Sequence, residues 1–412
     1  MKQKLRRGLV LLTATLLLAT AAGTLSACKK PDPGETPENK LTATEGLNYT
    51  EVYAEDGVTL RGYFVGAGTA YGEENIVILS PYNGLPVLSV GADEDFLDAL
   101  GDLDDGSEKS LEALRAYTFR QCENVKTVTI VGVSEINYGA FASCNGLTNV
   151  TVGYGLTKID EYAFHSCENL KYVTLPEGLG RIGAWAFADC GELRSIPLPD
   201  STTAIGEYAF FGCGELTDFA IPKNVTEIGI YALCACNKLI GLTVAEGNSV
   251  YYGAGNCVIE RETNVLVFGC RSSKIPDGVT AIGHSAFYGC RGLSSITIPG
   301  SVTKIESWAF YGCAALAEVK IPNGVTLIDN YAFGGCIKLT SVTLPRSLTK
   351  LGSNLFYDCR ELVSITFEGT MNEWTYISKT GWRDNSRVNT LLCANNGILT
   401  GDMLDTDNSN KK

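Results

Sequence analysis

The chain has 412 residues, of which 45% are hydrophobic and 19% are charged, a composition typical of a folded protein and unlike that of a disordered one. Its formal net charge of −13 disfavours nucleic acids and anionic membrane surfaces as partners. The length would suit two ordinary domains, unless one short unit recurs along the chain.

The N-terminus has the organisation of a secretory signal. Residues 1–7 carry four basic side chains, and the apolar run 8–23 is short for a membrane-spanning helix, which needs about 20 residues. Leu25-Ser26-Ala27-Cys28 resembles the lipobox of bacterial lipoproteins, which implies cleavage before Cys28 and diacylglycerol on its thiol. The alternative is an ordinary secretory signal with a chance cysteine. Loss of residues 1–27, which contain four basic and no acidic side chains, would leave a net charge of −17.

Residues 28–46 are predicted to be a tether, because the Pro, Gly and charged residues of 29–40 resist packing. An acidic insertion within residues 92–110 includes Asp102-Leu103-Asp104-Asp105-Gly106. It departs from the calcium-binding EF-hand, in which the twelfth position is Glu, because Ala113 stands there. We therefore predict a solvated acidic loop and no metal site.

Ten of the fifteen cysteines recur at intervals of 22 or 23 residues, with one interval of 54: Cys122, Cys144, Cys167, Cys190, Cys213, Cys236, Cys290, Cys313, Cys336 and Cys359. A Phe or Leu precedes each cysteine by three residues, and a Leu or Val follows it by three. Alternating apolar residues then predict a strand with one buried face, which a proline ends in most units. Such a unit cannot bury its apolar side chains alone, so the units are predicted to stack as a solenoid.

The pattern A-F-x-x-C-x-x-L-x-x-V-x-I-P-x-x-V-T-x-I-G, which begins for example at Ala309, resembles the BspA-like leucine-rich repeats of bacterial surface proteins. The resemblance covers roughly residues 111–368. Residues 47–110 look like the family's N-terminal capping unit with the acidic insertion, and residues 369–400 look like its C-terminal cap. The expected fold is an α/β solenoid, an arc with a parallel sheet of about ten rungs, short helical turns on the other face and β-rich caps. Residues 401–412 are predicted to be a disordered tail.

The 54-residue interval predicts a hairpin insertion at about residues 247–274, past which the solenoid continues. Cys257 and Cys270 lie outside the repeat and would face each other across this hairpin, so they are disulfide candidates. The repeated cysteines stand between core residues and are interpreted as buried free thiols.

The sequence contains no recognised catalytic motif, and it predicts neither an enzyme nor a cofactor. Its two histidines, His165 and His284, occupy variable repeat positions and are interpreted as surface residues.

Two surfaces are candidates for ligand binding. The exposed sheet face, five and seven residues after each repeated cysteine, is mostly Ser and Thr, which suits a merely solvated strand face. Tyr172, Asp218, Glu318 and Lys320 depart from that pattern and are candidate contacts. The second surface is an aromatic stripe with the weaker candidates Trp185, Tyr208, Tyr231, Trp308 and Tyr331. These rings either bind a ligand or pack on one another between rungs.

The resemblance implies a lipid-anchored protein on the outer face of a bacterial membrane, an adhesin-type module for a host or bacterial protein or glycan. A structural scaffold of the cell envelope, or a lipoprotein that captures glycans for a transporter, are the alternatives. We expect a monomer.

Overall fold

The computed structural model describes residues 41–54, 57–93, 96–97 and 117–406. The signal segment, Cys28, most of the tether and most of the acidic insertion lie outside these residues. The chain divides into two compact units, one ending at Phe210 (unit 1) and the other beginning at Phe211 (unit 2). Both are β-solenoids built from parallel strands, and together they contain about 13 turns.

Unit 1 contains eleven strands within its described residues: β1 (Asn48–Tyr53), β2 (Leu60–Gly66), β3 (Asn75–Leu79), β4 (Val87–Val90), β5 (Thr127–Val131), β6 (Glu135–Ile136), β7 (Asn149–Val152), β8 (Lys158–Ile159), β9 (Tyr172–Thr174), β10 (Arg181–Ile182) and β11 (Ala204–Ile205). They form two ladders, with the orders β1–β2–β4–β6–β8–β10–β11 and β3–β5–β7–β9. β1 and β2 are antiparallel, and the other neighbours are parallel. A 3-10 helix occupies Gly68–Gly72.

Unit 2 contains fifteen strands within its described residues: β12 (Asp218–Ile221), β13 (Glu227–Ile228), β14 (Gly241–Val244), β15 (Tyr251–Ala254), β16 (Cys257–Glu260), β17 (Val265–Gly269), β18 (Ala281–Ile282), β19 (Lys304–Ile305), β20 (Glu318–Lys320), β21 (Leu327–Ile328), β22 (Ser341–Leu344), β23 (Lys350–Leu351), β24 (Ser364–Phe367), β25 (Thr390–Cys393) and β26 (Ile398–Thr400). Three groups pair within the unit: β12–β14, β15–β16–β17–β18–β19–β21–β23 and β20–β22–β24–β25–β26. A short helix α1 (Met371–Trp374) and a 3-10 helix (Gly401–Asp405) belong to the C-terminal cap.

Most repeats therefore contribute two strands, one more than the sequence predicted. The longer strand follows the cysteine and alternates exposed and buried residues, as in β12, where Phe219 and Ile221 are buried. The additional strand is a two-residue segment that ends in the recurring Ile, as in β8 and β10. Its side of the coil is reinforced by threonine hydroxyls, which donate to the preceding coil; Thr203 Oγ1, for example, lies 3.0 Å from the Gly180 oxygen.

The recurring phenylalanines form the centre of each unit. In unit 1, the rings of Phe141, Phe164 and Phe187 stack nearly parallel, with centroids 5.2 Å and 5.1 Å apart. In unit 2, Phe287, Phe310 and Phe333 stack in the same way at 5.0 Å and 5.2 Å. All of them are fully buried. One column of large rings thus fills the core at the rung spacing, which is about 4.8 Å in a parallel sheet.

The segment that carries Ala-Phe is not the predicted helical turn but a series of tight turns. Alternate N–H groups bond within the segment, as His165 N does to the Tyr162 oxygen at 3.0 Å. The intervening N–H groups leave it, as Phe164 N does to the Ala186 oxygen of the next coil at 2.7 Å. Two residues per segment adopt positive φ to permit this, for example Tyr162 and Ser166, both at 56°. A helix cannot form because half of its hydrogen bonds are directed between coils.

The insertion in unit 2 is a three-stranded antiparallel meander of β15, β16 and β17. The hairpin predicted at about residues 247–274 thus has one more strand than expected, and β17 continues the ladder in parallel to β18. The coil after the insertion stacks on the coil before it, since Ala235 N donates to the Tyr288 oxygen at 3.0 Å.

The predicted disulfide between Cys257 and Cys270 is not formed, because both thiols are free. Cys257 pairs with Gly269, and Cys270 is the next residue along the chain. Cys270 lies just beyond the end of β17, and its Sγ atom is 3.7 Å from the Ser273 hydroxyl oxygen. The two thiols approach separate carbonyl oxygens, those of Gly255 at 3.6 Å and Asn256 at 3.7 Å.

The C-terminal cap contains a buried lysine that holds the end of the described chain. Lys379 Nζ donates to the carbonyl oxygens of Trp374 (3.0 Å), Ile377 (2.9 Å) and Thr406 (2.5 Å). The indole of Trp374 donates to the Leu404 oxygen at 3.0 Å, and Leu404 itself is fully buried. The prediction of a disordered tail from residue 401 is therefore wrong for residues 401–406, and residues 407–412 lie outside the described residues.

We predict that the fourteen described thiols are unreactive until the protein unfolds. Burial raises the pKa of Cys257 to about 11 and that of Cys236 to about 12, so both stay protonated and non-nucleophilic at pH 8. Iodoacetamide at pH 8 should leave all fourteen cysteines unmodified in the native protein. In guanidinium without reductant it should alkylate all fourteen, as measured by peptide mass spectrometry. A pair that escapes alkylation until reductant is added would reveal a disulfide and contradict the free-thiol assignment.

Candidate binding surfaces

The sheet-face candidate of unit 1 is Tyr172, at the start of β9. Its side chain is 48% exposed, and its backbone is in register with Asn149 and Ser195. Neighbouring positions of this face are also hydrogen-bonded to one another; Thr127 Oγ1 donates to Asn75 Oδ1 at 2.7 Å. Tyr172 is thus an exposed aromatic side chain on a polar, backbone-paired surface.

The other three candidates lie in unit 2. Asp218 begins β12, and its side chain covers Gly241 so closely that a Cβ atom added to Gly241 would come 2.0 Å from Asp218 Oδ1. Glu318 and Lys320 point outward from β20, on either side of buried Val319. Lys320 Nζ lies 3.1 Å from Glu368 Oε1 and stays largely exposed, so this pair contributes little to stability.

The sequence suggested one continuous exposed sheet face, but the structure divides this face among several sheets. Tyr172, Asp218 and Glu318 belong to three different sheets. In unit 1, Pro197 cannot donate to a ladder, and Ser195 makes only an isolated bridge to Tyr172. In unit 2, the insertion occupies the place beside β14, where Ser272 Oγ donates to the Ile240 oxygen at 2.5 Å.

The aromatic stripe packs on itself in both units. In unit 1, Trp185 stacks on Tyr208 with centroids 4.1 Å apart and rings 9° from parallel, and Tyr162 lies parallel on its other side at 6.1 Å. In unit 2, Trp308 stacks on Tyr331 at 4.3 Å and 7°. Tyr231 meets Tyr288 edge-to-face at 5.3 Å. Each of these rings contacts a neighbouring ring, so few ring faces of the stripe are open for stacking against a sugar.

These aromatic residues also occupy an unusual backbone conformation. φ is 57° at Trp185, 54° at Tyr208, 61° at Tyr231, 62° at Trp308 and 55° at Tyr331. This region costs a residue with a Cβ about 1 kcal/mol or more. The conformation is held by bonds between coils, for example from Trp185 N to the Glu207 oxygen at 2.8 Å. The stacking interactions offset the strain, which makes the stripe a structural element.

One group of side chains has the composition of a hydrolytic triad. Ser166 Oγ lies 3.1 Å from Nδ1 of His165, but Asp189 Oδ2 lies 3.9 Å from Nε2, beyond hydrogen-bond distance. The Ser166 N–H donates to the Ala188 oxygen and cannot stabilise an oxyanion. Burial lowers the pKa of His165, which packs against Tyr162 and Trp185. The group does not have the geometry of a catalytic site.

Among the described residues, no three or more His, Cys, Asp or Glu side chains are grouped so as to hold a metal ion. No helix in the described part of the chain has the length and apolarity needed to cross a membrane.

The sequence profile described as the BspA type leucine-rich repeat region matches residues 112–240 and 268–381 in six copies, more than half of the chain. The chain belongs to this family. Its two matched segments flank residues 241–267, which contain β14, β15, β16 and the start of β17. A search of the curated proteins found no match.

Solved structures show the same repeat architecture. A leucine-rich cell surface protein from Faecalibacterium prausnitzii is 27% identical, with a TM-score of 0.51 over 83% of this chain and 99% of that chain. The pneumococcal vaccine antigen PcpA is 19% identical, with a TM-score of 0.57 over 86% and 93%. A leucine-rich repeat protein from Eubacterium ventriosum is 20% identical, with a TM-score of 0.56 over 84% and 82%. The last two likenesses concern the fold alone.

One exposed group that the sequence did not predict lies at the C-terminal edge of the β20–β22–β24–β25–β26 sheet. Leu392 and Ile398 are cross-strand partners on the exposed face and are 42% and 60% exposed. Met371 is also exposed and lies against Gly397. β25 and β26 fall outside the 23-residue period, so the repeat could not assign these side chains to a face; only the local run Thr390-Leu391-Leu392-Cys393 hinted at a strand.

We predict an inverted stability order at Trp185. Ala there would lose the ring stack and keep the positive φ, whereas Gly would lose the stack but relieve the strain. The Gly variant should therefore be the more stable of the two by about 1 kcal/mol, the reverse of the usual order in regular structure, as measured by urea denaturation.

Tyr172→Ala is the control, because Tyr172 is an exposed aromatic residue of unit 1 in a strand; it should cost less than about 1 kcal/mol. An Ala variant at 185 that equals or exceeds the Gly variant in stability would refute the strain argument.

Proposed function

We propose that the protein is an adhesin-type binding module on a bacterial cell surface. The observation that carries the proposal is the set of exposed strand positions that contribute little to the fold, of which Tyr172, Asp218 and Glu318 are examples. Rigid exposed sheets of repeat proteins commonly serve as binding surfaces. The likeness to a cell surface protein of F. prausnitzii supports the location.

A protein ligand fits the surface better than a glycan does. Sugars are commonly held against open aromatic faces, and the described aromatic columns direct their faces at one another. Protein interfaces instead draw on exposed aromatic, aliphatic and charged side chains set among polar neighbours. Tyr172 and the Leu392/Ile398 pair supply such side chains. An envelope scaffold with a bacterial partner protein would use the same surfaces.

The first experiment measures binding of residues 29–412 to a panel of matrix proteins, mucins and glycans. We expect saturable binding to a protein member, with affinity lowered at least about tenfold by Tyr172→Ala, Asp218→Ala or Glu318→Ala. The exposed turn variant Lys338→Ala serves as the matched control and should bind as the wild type does. Binding that survives all three sheet-face substitutions would place the ligand elsewhere.

We further propose that Cys28 carries a diacylglycerol anchor. The support is the sequence Leu25-Ser26-Ala27-Cys28 after a basic and apolar leader, together with the tether-like composition of residues 29–40. A stable anchor would keep the strongly acidic chain at the cell surface with its repeats exposed.

Substitution Cys28→Ala should abolish incorporation of labelled palmitate in a bacterial host and move the protein from the membrane fraction into the medium. Cys393→Ala, which changes a cysteine of the C-terminal cap, should leave both readouts unchanged. Unlabelled wild-type protein found in the medium would argue for an ordinary secretory signal.

A further inference from the structure

The last strand of the unit 2 sheet, β26, has a free edge. Gly397 O accepts from Cys393 N at 2.8 Å, and Gly401 N donates to the Asn389 oxygen at 3.3 Å. Hydrogen-bonded and non-hydrogen-bonded pairs alternate in an antiparallel ladder, so the intervening residues Ile398 and Thr400 turn their N–H and C=O groups away from β25. Within the described chain these groups have no hydrogen-bond partner.

The β3 edge of the β3–β5–β7–β9 sheet in unit 1, by contrast, is covered by the chain itself. Thr44 N donates to the Val77 oxygen of β3 at 2.9 Å, and Val77 N donates to Thr44 Oγ1 at 2.7 Å. Natural sheets commonly protect such edges with coverage, charge or proline. Ile398-Leu399-Thr400 contains no charge and no proline, and no described residue bonds to its outer edge.

The free edge adjoins the exposed aliphatic group. Leu392 and Ile398 form a cross-strand pair on the same face as Thr366, which is in register with Leu392. Leu399 points the other way and packs on the core. A strand added to β26 would therefore find hydrogen-bonding groups at its side and an aliphatic surface along one face.

The charges near the edge indicate which occupant fits. Asp402 lies two residues beyond Thr400, is exposed and forms no salt bridge with another described residue. Arg383 donates to the Gly401 oxygen beside it but is paired with Asp405, and the chain as a whole is strongly acidic. A second copy would bring its own Asp402 and the same net charge to the interface, which disfavours self-pairing. A segment with basic residues at its ends complements the edge.

We propose that β26 accepts an extended, aliphatic segment with flanking basic residues from a partner protein, by strand addition. This inference rests on the proposed binding function and specifies a partner for it. Main-chain hydrogen bonds to Ile398 and Thr400 provide affinity, and contacts with Leu392 and Ile398 provide selectivity for alternate aliphatic side chains.

The probe is the fluorescein-labelled peptide acetyl-KVTITVK-amide, titrated with the full chain and followed by anisotropy. Saturable binding is expected, weakened about tenfold or more by the double variant Leu392→Thr/Ile398→Thr. Val58→Thr, which alters an aliphatic residue of unit 1 that is 80% exposed, is the matched control and should not change the affinity. The melting temperature of each variant verifies that it folds.

Two peptide series test the mode of binding. N-methylation of the Val and Ile amides and N-methylation of the Thr amides block opposite edges of the added strand, so only one series should lose binding. Replacement of both Lys residues by Glu should weaken binding severalfold at low salt. Absence of saturable binding, or equal binding by both methylated peptides, would overturn the proposal.

The oligomeric state of the protein tests the remaining alternative, in which β26 pairs with a second copy of the chain. A wild-type dimer in sedimentation velocity that Leu392→Thr/Ile398→Thr dissociates, without peptide binding, would assign the edge to a second copy and overturn the proposal. If the peptide fails while a panel protein still binds through Tyr172, Asp218 or Glu318, strand addition is refuted and the proposed function stands.

Discussion

The backbone hydrogen bonds that join each coil to the next constrain everything else in the two units. They run along more than one side of a coil, as Ile182 pairs with Ile159 in one ladder and Phe164 N donates to the Ala186 oxygen on the turn side. Equivalent residues must therefore recur at a fixed interval, or one set of bonds is lost. The columns of Phe, Cys and aromatic side chains are consequences of that interval, because identical positions come to lie one rung apart.

The same bonds explain why a bulky residue is retained in a left-handed conformation. At Trp185 the direction of the N–H group is dictated by the next coil, and the indole gains a stacked neighbour on each side. Local conformational preference is overridden by contacts between coils. Gly139 occupies the equivalent kind of position elsewhere in unit 1, also with positive φ, and lacks a ring to stack. This repeat position thus accepts either an aromatic residue that stacks on its neighbours or a glycine.

The interval of the cysteines was enough to predict the solenoid, the longer strand of each repeat and the position of the insertion, because burial in a stacked repeat depends mainly on spacing. The turn geometry at Tyr162, the missing disulfide at Cys257 and the free edge at Ile398 were not predictable in that way. Each depends on a hydrogen-bond register between distant segments, which no local pattern encodes. For the candidate ligand contacts, the sequence identified exposed side chains such as Tyr172. It could not show that these side chains belong to three different sheets.

The buried ammonium of Lys379 makes fraying of the C-terminal cap cooperative. Its three carbonyl partners are those of Trp374 and Ile377, near it in the chain, and of Thr406, 27 residues further on. Residues 401–406 also accept from the indole of Trp374 and bind Arg383 through Asp405. Peeling away this last segment would remove a carbonyl from a buried charge and a partner from an indole in one step. A repeat array could otherwise unfold coil by coil from its exposed end. Here the first step of unfolding at the C-terminus breaks several buried hydrogen bonds at once, which raises the free energy of that step.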